Sequence, residues 1–350
     1  MSNKEAIITC LQLIRSDKIG PITFFKLLDK YKTLDNIIAN INKYNFTLKP
    51  RYQALEEYQK TIDSGASFIL YCDQLYPKLL SQINDNPPLL TFQGNIDLLK
   101  KPTVAIVGPR NASYSAISNT KKFASTLGSS GITIISGMAR GVDTVAAESS
   151  LITGTVAVLS SGINIVYPKE NNNLYQDIIK YGLIITESPY DLEPKSHNFI
   201  QRNRIISGLS LATIVIEAGL QSGSLVTARF ANEQNREVFA LPGSIADPRY
   251  CGTNHLIKEG ANIATSPNDV LQNIGIDTKY SISPPVILKY DGDNDICQKI
   301  LDYLGVESIL LEDLLNFLNV SPEIFNSSIV ELEMQNKVKI DYNRIAKIMS

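Results

Sequence analysis

The chain has 350 residues, 44% of them hydrophobic and 19% charged, with 20 Gly, 16 Pro, 4 Cys, 2 His and no Trp. That length predicts two or three domains with a sizeable core, and an imidazole supply limited to His197 and His255 excludes His-rich metal sites and most Ser/Cys–His nucleophile arrangements. The net charge of −2 is uneven: residues 1–60 hold 10 Lys+Arg against 6 Asp+Glu, residues 101–275 hold 14 against 13, and residues 285–350 hold 6 against 11. A basic binding surface must then be local and lie in the first two regions.

Cys10, Cys72, Cys251 and Cys297 are at least 46 residues apart, which leaves no C-x-x-C pair and no secreted disulfide framework. Four buried thiols in a reducing cytoplasm are expected. Neither histidine stands at metal-ligand spacing from a cysteine, so no metal is expected. The N-terminus lacks a small-residue cleavage site, and no run approaches the ~18 apolar residues of a membrane span. The reading is a cytoplasmic protein with no membrane partner.

In chain order, Ala6–Ile14 and Ile22–Tyr31 show helical periodicity around an Ile19-Gly20-Pro21 turn. This resembles a helix-hairpin-helix, with a plain helical bundle as the alternative. From Thr103 the pattern becomes short apolar runs: Val104–Val107, Ile132–Ile135, Val156–Leu159, Leu183–Thr186, Thr213–Ile216, Val238–Leu241 and Asn262–Ala264. Helical stretches such as Ser118–Leu127, Val142–Leu151, Leu174–Lys180 and Leu225–Asn235 separate them. Apolar strands alternating with helices predict an α/β fold, a doubly wound Rossmann-like parallel sheet covered on both faces. After Asp277 the composition is that of a linker, and beyond it Ile296–Leu304, Leu310–Leu318 and Pro322–Gln335 read as helices, with Val338–Asp341 as a closing strand. Three helices with strands suit a winged helix. Its acidic balance argues against duplex reading and for a protein-contact role.

In a doubly wound sheet, ligands bind outside the carboxyl ends of the strands. Small residues follow those runs, as in Gly108-Pro109-Arg110 and Ser136-Gly137-Met138-Ala139-Arg140-Gly141, and two arginines leave the sheet there. Ser222-Gly223-Ser224 opens a helix and reads either as an anion cradle or as an N-cap. Lys195 through Arg204 lies in a stretch from Pro194 to Ile216 without an acidic residue. Its cations around Phe199 fit a strand-tracking groove, or else a solvated helix start with a core Phe. The G-x-G-x-x-G and Walker A patterns are absent, so no NAD or ATP cofactor is expected. Glu217, at a strand end, is either a base or a carboxylate that holds an arginine or caps an amide. No catalytic set assembles.

Several of these segments fall in a recognisable order: Asp73-x-x-Tyr76-Pro77-x-x-Leu80, Pro87-Pro88 with Gly94, Val107-Gly108-x-Arg110, and Ser136-Gly137-x-Ala139-Arg140-Gly141-x-Asp143. Then come Arg202-Asn203-Arg204-Ile205-Ile206-Ser207-Gly208-Leu209-Ser210, Glu217 through Ser222-Gly223-Ser224-Leu225-x-Thr227-Ala228, Pro242-Gly243, and Gly252-Thr253-Asn254-x-Leu256-Ile257-x-x-Gly260-Ala261. Over about residues 70–270 this resembles the DprA/Smf family, DNA-processing protein A. The resemblance implies a helical N-terminal domain over 1–65, an extended Rossmann core over 66–280, a linker over 281–294 and a winged-helix-like domain over 295–350. It also implies sequence-independent binding of single-stranded DNA, a homodimer formed through the core, and loading of the RecA recombinase in natural transformation or repair, without enzymatic turnover. Carried over by motif, Arg110, Arg140, Lys195, Arg202 and Arg204 grip phosphates, Phe199 stacks on a base, and Asn203 with Ser222, Gly223 and Ser224 shapes the pocket. Pro109 stands where the family usually has Ser, Ser115 where Gly is usual, and Ile200 replaces the Pro after Phe199. The alternative is a Rossmann-type nucleotide hydrolase of the lonely-guy kind, but its Pro-Gly-Gly-x-Gly-Thr-x-x-Glu loop is missing from Glu217–Ser224.

Overall fold

The structure, a computed structural model, describes residues 3–275, 296–304, 308–341 and 343–348. The first helices are α1 (Asn3–Ile14), α2 (Pro21–Tyr31), α3 (Leu34–Asn40) and α4 (Arg51–Asp63). Pro21 opens α2, where its missing N–H costs nothing. Lys32, in a left-handed conformation, closes the same helix. Thr33 then starts α3 by accepting the Asn36 N–H at 3.2 Å. Leu11, Leu13, Phe24 and Ile37 form their common core.

Two strands follow that the sequence pattern does not announce, β1 (Ser67–Leu70) and β2 (Leu89–Gly94). Then come β3 (Thr103–Val107), α5 (Tyr114–Ser129), β4 (Thr133–Ser136), α6 (Val142–Ser150), β5 (Thr155–Val158), α7 (Asn172–Tyr181), β6 (Leu183–Thr186) and α8 (Ser196–Gly208). The core ends with β7 (Ala212–Val215), α9 (Gly223–Glu233), β8 (Glu237–Ala240), α10 (Cys251–Lys258), β9 (Asn262–Ile263) and α11 (Pro267–Asn273). The sheet order is β1-β2-β6-β5-β4-β3-β7-β8-β9. Strands β3 to β9 pair in parallel, whereas β1 and β2 add an antiparallel extension at β6.

The stretch β5-β4-β3-β7-β8-β9 is the doubly wound Rossmann order, with the chain reversing direction across the sheet between β3 and β7. Every residue of β3, β4, β5, β6 and β7 is buried, as both-face coverage demands. One face packs on Phe123 and Leu127 of α5, Val142 of α6 and Val270 of α11. The other packs on Ile205 and Ile206 of α8 and Ala228 of α9. At about 1.5–3 kcal/mol per fully buried large apolar side chain, these two layers fix the strand ends rigidly.

The C-terminal part comprises α12 (Ile296–Tyr303), β10 (Ile309–Leu310), α13 (Leu311–Leu318), α14 (Pro322–Met334), β11 (Val338–Asp341) and β12 (Arg344–Lys347). Its three-stranded antiparallel sheet, ordered β10-β12-β11, completes a winged-helix-like arrangement. Phe317 of α13 sits edge-on to Tyr114 at 5.6 Å and to Tyr303 at 4.3 Å, and Arg249 donates to the Asp302 carbonyl at 3.1 Å, so this part rests against α5 and the core. The expected linker at 281–294 lies outside the described residues. The expectation of four buried thiols is corrected: Cys10 is buried, but Cys72 is exposed and Cys251 and Cys297 are half-buried. Among the described residues no helix is long and apolar enough to cross a membrane.

Candidate nucleic-acid interface

The reversal between β3 and β7 opens a crevice outside their carboxyl ends. Its lips are the 108–113 loop after β3 and the 137–141 loop after β4, packed backbone to backbone. Gly141 has φ +75, and a Cβ there would meet the Pro109 and Arg110 carbonyl oxygens at 2.5 Å each. Pro109 lacks an N–H but still contributes its carbonyl, which accepts from Val142 at 3.3 Å.

Carboxylates brace these loops from below. Asp143 accepts the Gly137 and Ala139 amides at 3.2 Å each. Burial pushes its pKa up, and Arg202 opposes that shift. Glu217 accepts both the backbone N–H, at 3.3 Å, and the hydroxyl of Ser113, and Ser113 in turn caps α5 by accepting the Ala116 N–H at 3.0 Å. Glu217 is 1% exposed, and both of its carboxylate oxygens are taken up by Ser113, which realises the amide-capping arrangement.

The predicted cations divide into two groups. Arg110 is exposed, its guanidinium 5.0 Å over the centroid of Phe199. Phe199 is half-buried, with Tyr167 against it edge-on at 5.5 Å. Lys195 is exposed immediately before α8, and neither it nor Arg110 forms an ion pair among the described residues. Arg140 is exposed as well but paired with Glu170. Arg202 and Arg204, implied by the resemblance to grip phosphates directly, are only 5% and 6% exposed. Arg202 donates to the Gly137 and Val158 carbonyls. Burial pulls its pKa down to about 10, while Asp143 opposes the shift and Arg110 adds to it. Arg204 is held by Asp85 at 3.1 Å and Glu187 at 2.6 Å. Neither stands free: Arg202 ties α8 to the 137–141 loop and the end of β5, and Arg204 ties α8 to Asp85 and Glu187.

Asn203 donates to the Gly223 carbonyl at 3.4 Å and so joins α8 to the 222–224 turn. There the cap reading is realised: Ser222 accepts from the Ser224 amide, and the two hydroxyls lie 2.7 Å apart. Sequence reasoning missed Tyr167 as the support of Phe199. That contact is made across the sheet end, and no local pattern marks it.

A Rossmann-type sheet with an exposed guanidinium over an aromatic ring at its switch point, and a helical N-terminal region beside it, defines a protein of the doubly wound α/β class. The chain belongs to the family described as DNA recombination-mediator protein A, which matches residues 67–275, and residues 4–43 match the DprA-like N-terminal HHH domain. It is 39% identical over 251 residues to protein Smf of Synechocystis, covering 70% of this chain and 61% of that relative. The X-ray structure of DNA processing protein A from Streptococcus pneumoniae superposes with a TM-score of 0.62 at 32% identity, covering 80% of this chain and 96% of that one. DNA processing protein A from Helicobacter pylori, in a structure concerned with its single-stranded DNA binding mode, gives a TM-score of 0.56 at 30% identity, covering 62% of this chain and 97% of that one.

Proposed function

We propose that the chain is a sequence-independent single-stranded-DNA-binding protein and recombination mediator, which loads the RecA recombinase during DNA uptake or repair as a cytoplasmic homodimer, without catalytic turnover. The pair of exposed Arg110 and half-buried Phe199, with Lys195 four residues before the ring, carries this reading. Guanidinium and ammonium groups take phosphates, and a phenyl face accepts any base, so the pair suits a strand of any sequence. Asn203 and Ser222–Ser224 shape the adjoining wall, Arg202 and Arg204 hold the floor, and Arg140 adds a cation when a phosphate displaces Glu170. Family membership supports the mediator role, and the H. pylori relative supports the single-stranded substrate. We take the domains as 1–65, 66–280 and 295–350, joined by 281–294.

Fluorescence anisotropy of labelled oligonucleotides tests this. Single strands bind more tightly than duplexes of the same length, and Arg110→Ala weakens binding to every sequence while reducing the slope of log affinity on log salt by about 0.7. Wild-type affinity and slope in that variant reject the site.

A further inference from the structure

A cleft of about 480 Å³ lies between the helical N-terminal region and the core. One wall is the α1–α2 turn, Ile19 through Thr23; the facing wall is the end of β6, Glu187 to Pro189, together with the first turns of α8. Its volume is that of pockets holding one small organic ligand, ~300–1,000 Å³. That matches a nucleotide and falls far short of a duplex. The turn suggestive of a helix-hairpin-helix therefore faces the core, where only a single strand fits.

Three features favour such an occupant. Ile19, Ile22, Pro189 and Ile200 offer apolar surface for a base, while Asn198 and Gln201 offer hydrogen bonds. Of the three guanidiniums in the lining, Arg15 pairs with Glu57 and Arg204 with Asp85 and Glu187, while Arg202 forms no ion pair among the described residues. Nε of Arg202 and Nη1 of Arg204, both on side chains more than nine-tenths buried, have no hydrogen-bond partner among the described residues. The cleft also adjoins the proposed grip: Asn198 and Ile200, which line it, flank Phe199 in the chain.

We propose that this cleft is a second nucleotide subsite, which receives an unstacked base and its phosphate from the same strand that Arg110 and Phe199 hold. The proposal rests on the single-strand reading above. The N-terminal region thus becomes part of the strand path, and a strand leaving Phe199 turns inward along α8.

The chain has no Trp, so Ile22→Trp supplies a lone indole on the cleft wall, at a side chain 51% exposed in the native protein. An oligothymidylate longer than the ~4–16-nucleotide footprint of single-strand sites is expected to quench it in step with saturation of a labelled oligonucleotide. Ile22→Asp, which places a carboxylate there, is expected to weaken long oligonucleotides about tenfold and to leave a dinucleotide unaffected. Saturation by anisotropy without quenching overturns the subsite and leaves the single-strand reading intact. No binding by either signal overturns both. Quenching by thymidine monophosphate but not by the oligonucleotide makes the cleft a free-nucleotide pocket and overturns the proposal.

Discussion

Arg110 and Arg202 bear the same side chain in opposite surroundings, the first exposed and the second buried. Arg202 is on the inner face of α8, and its guanidinium donates to the carbonyls of Gly137, in the loop after β4, and of Val158, at the end of β5. Gly137 has to be glycine for this, because a Cβ there would collide with the Arg202 guanidinium. Arg202→Met keeps the length but leaves both carbonyls without this donor and removes the cation that offsets the burial of Asp143. At about 1–3 kcal/mol per buried unsatisfied group, we expect a loss of about 3 kcal/mol in urea unfolding. Phe199→Ala, at a half-buried ring, should shift the urea midpoint little and weaken single-strand binding by about 1–3 kcal/mol. A wild-type midpoint for Arg202→Met, or a Phe199→Ala variant that loses stability and keeps affinity, would reverse the division of labour between the two positions.

Among elements, the same network ties the helical region to the sheet. Arg15, the residue after α1, pairs with Glu57 of α4 at 2.9 Å and donates to the Glu187 carbonyl after β6 at 3.0 Å, while the Glu187 side chain holds Arg204 of α8. Arg15 and Glu57 are only 11% and 14% exposed, so Arg15→Ala strands a largely desolvated carboxylate, at a cost of about 3 kcal/mol. Scanning calorimetry should then show the helical region melting ahead of the core; one transition at the wild-type temperature would reject the tie. The parallel strands were legible from sequence because burial on both faces leaves uninterrupted runs such as Val104–Val107. Strands β1 and β2 were not, because Phe68-Ile69-Leu70 and Leu89-Leu90 become strands by pairing with each other and, through β2, with β6, which no local window contains. The candidate site was marked in the sequence by an ordered set of motifs, yet the burial of Arg202 was not foreseen. Its periodic placement with Ile205, Ile206 and Leu209 on one helical face was the available signal.

At the scale of the molecule, charge is partitioned along the chain. Residues 1–275 hold 26 Lys+Arg against 23 Asp+Glu, whereas residues 276–350 hold 7 against 12. The acidic part does not stand apart from the proposed grip: Phe317 packs on Tyr114, the first residue of α5, and Tyr114 lies four residues beyond Arg110. Burial raises the Tyr114 pKa and Asp313 of α13 adds to it, so a carboxylate from this part is within electrostatic reach of the loop that carries Arg110. Like charge near the strand path repels phosphate. At ~10 Å in water, one unit charge alters binding by about 0.4 kcal/mol, or roughly twofold. Neutralising Glu312 and Asp313, both exposed, as Glu312→Gln with Asp313→Asn should therefore raise single-strand affinity about fourfold at 0.01 M salt, where the Debye length is ~30 Å. The gain should shrink at 0.1 M, where that length is ~10 Å. A gain that persists unchanged with salt would point to altered docking of α13, and equal affinity of the two proteins at low salt would show that the C-terminal charge does not reach the strand.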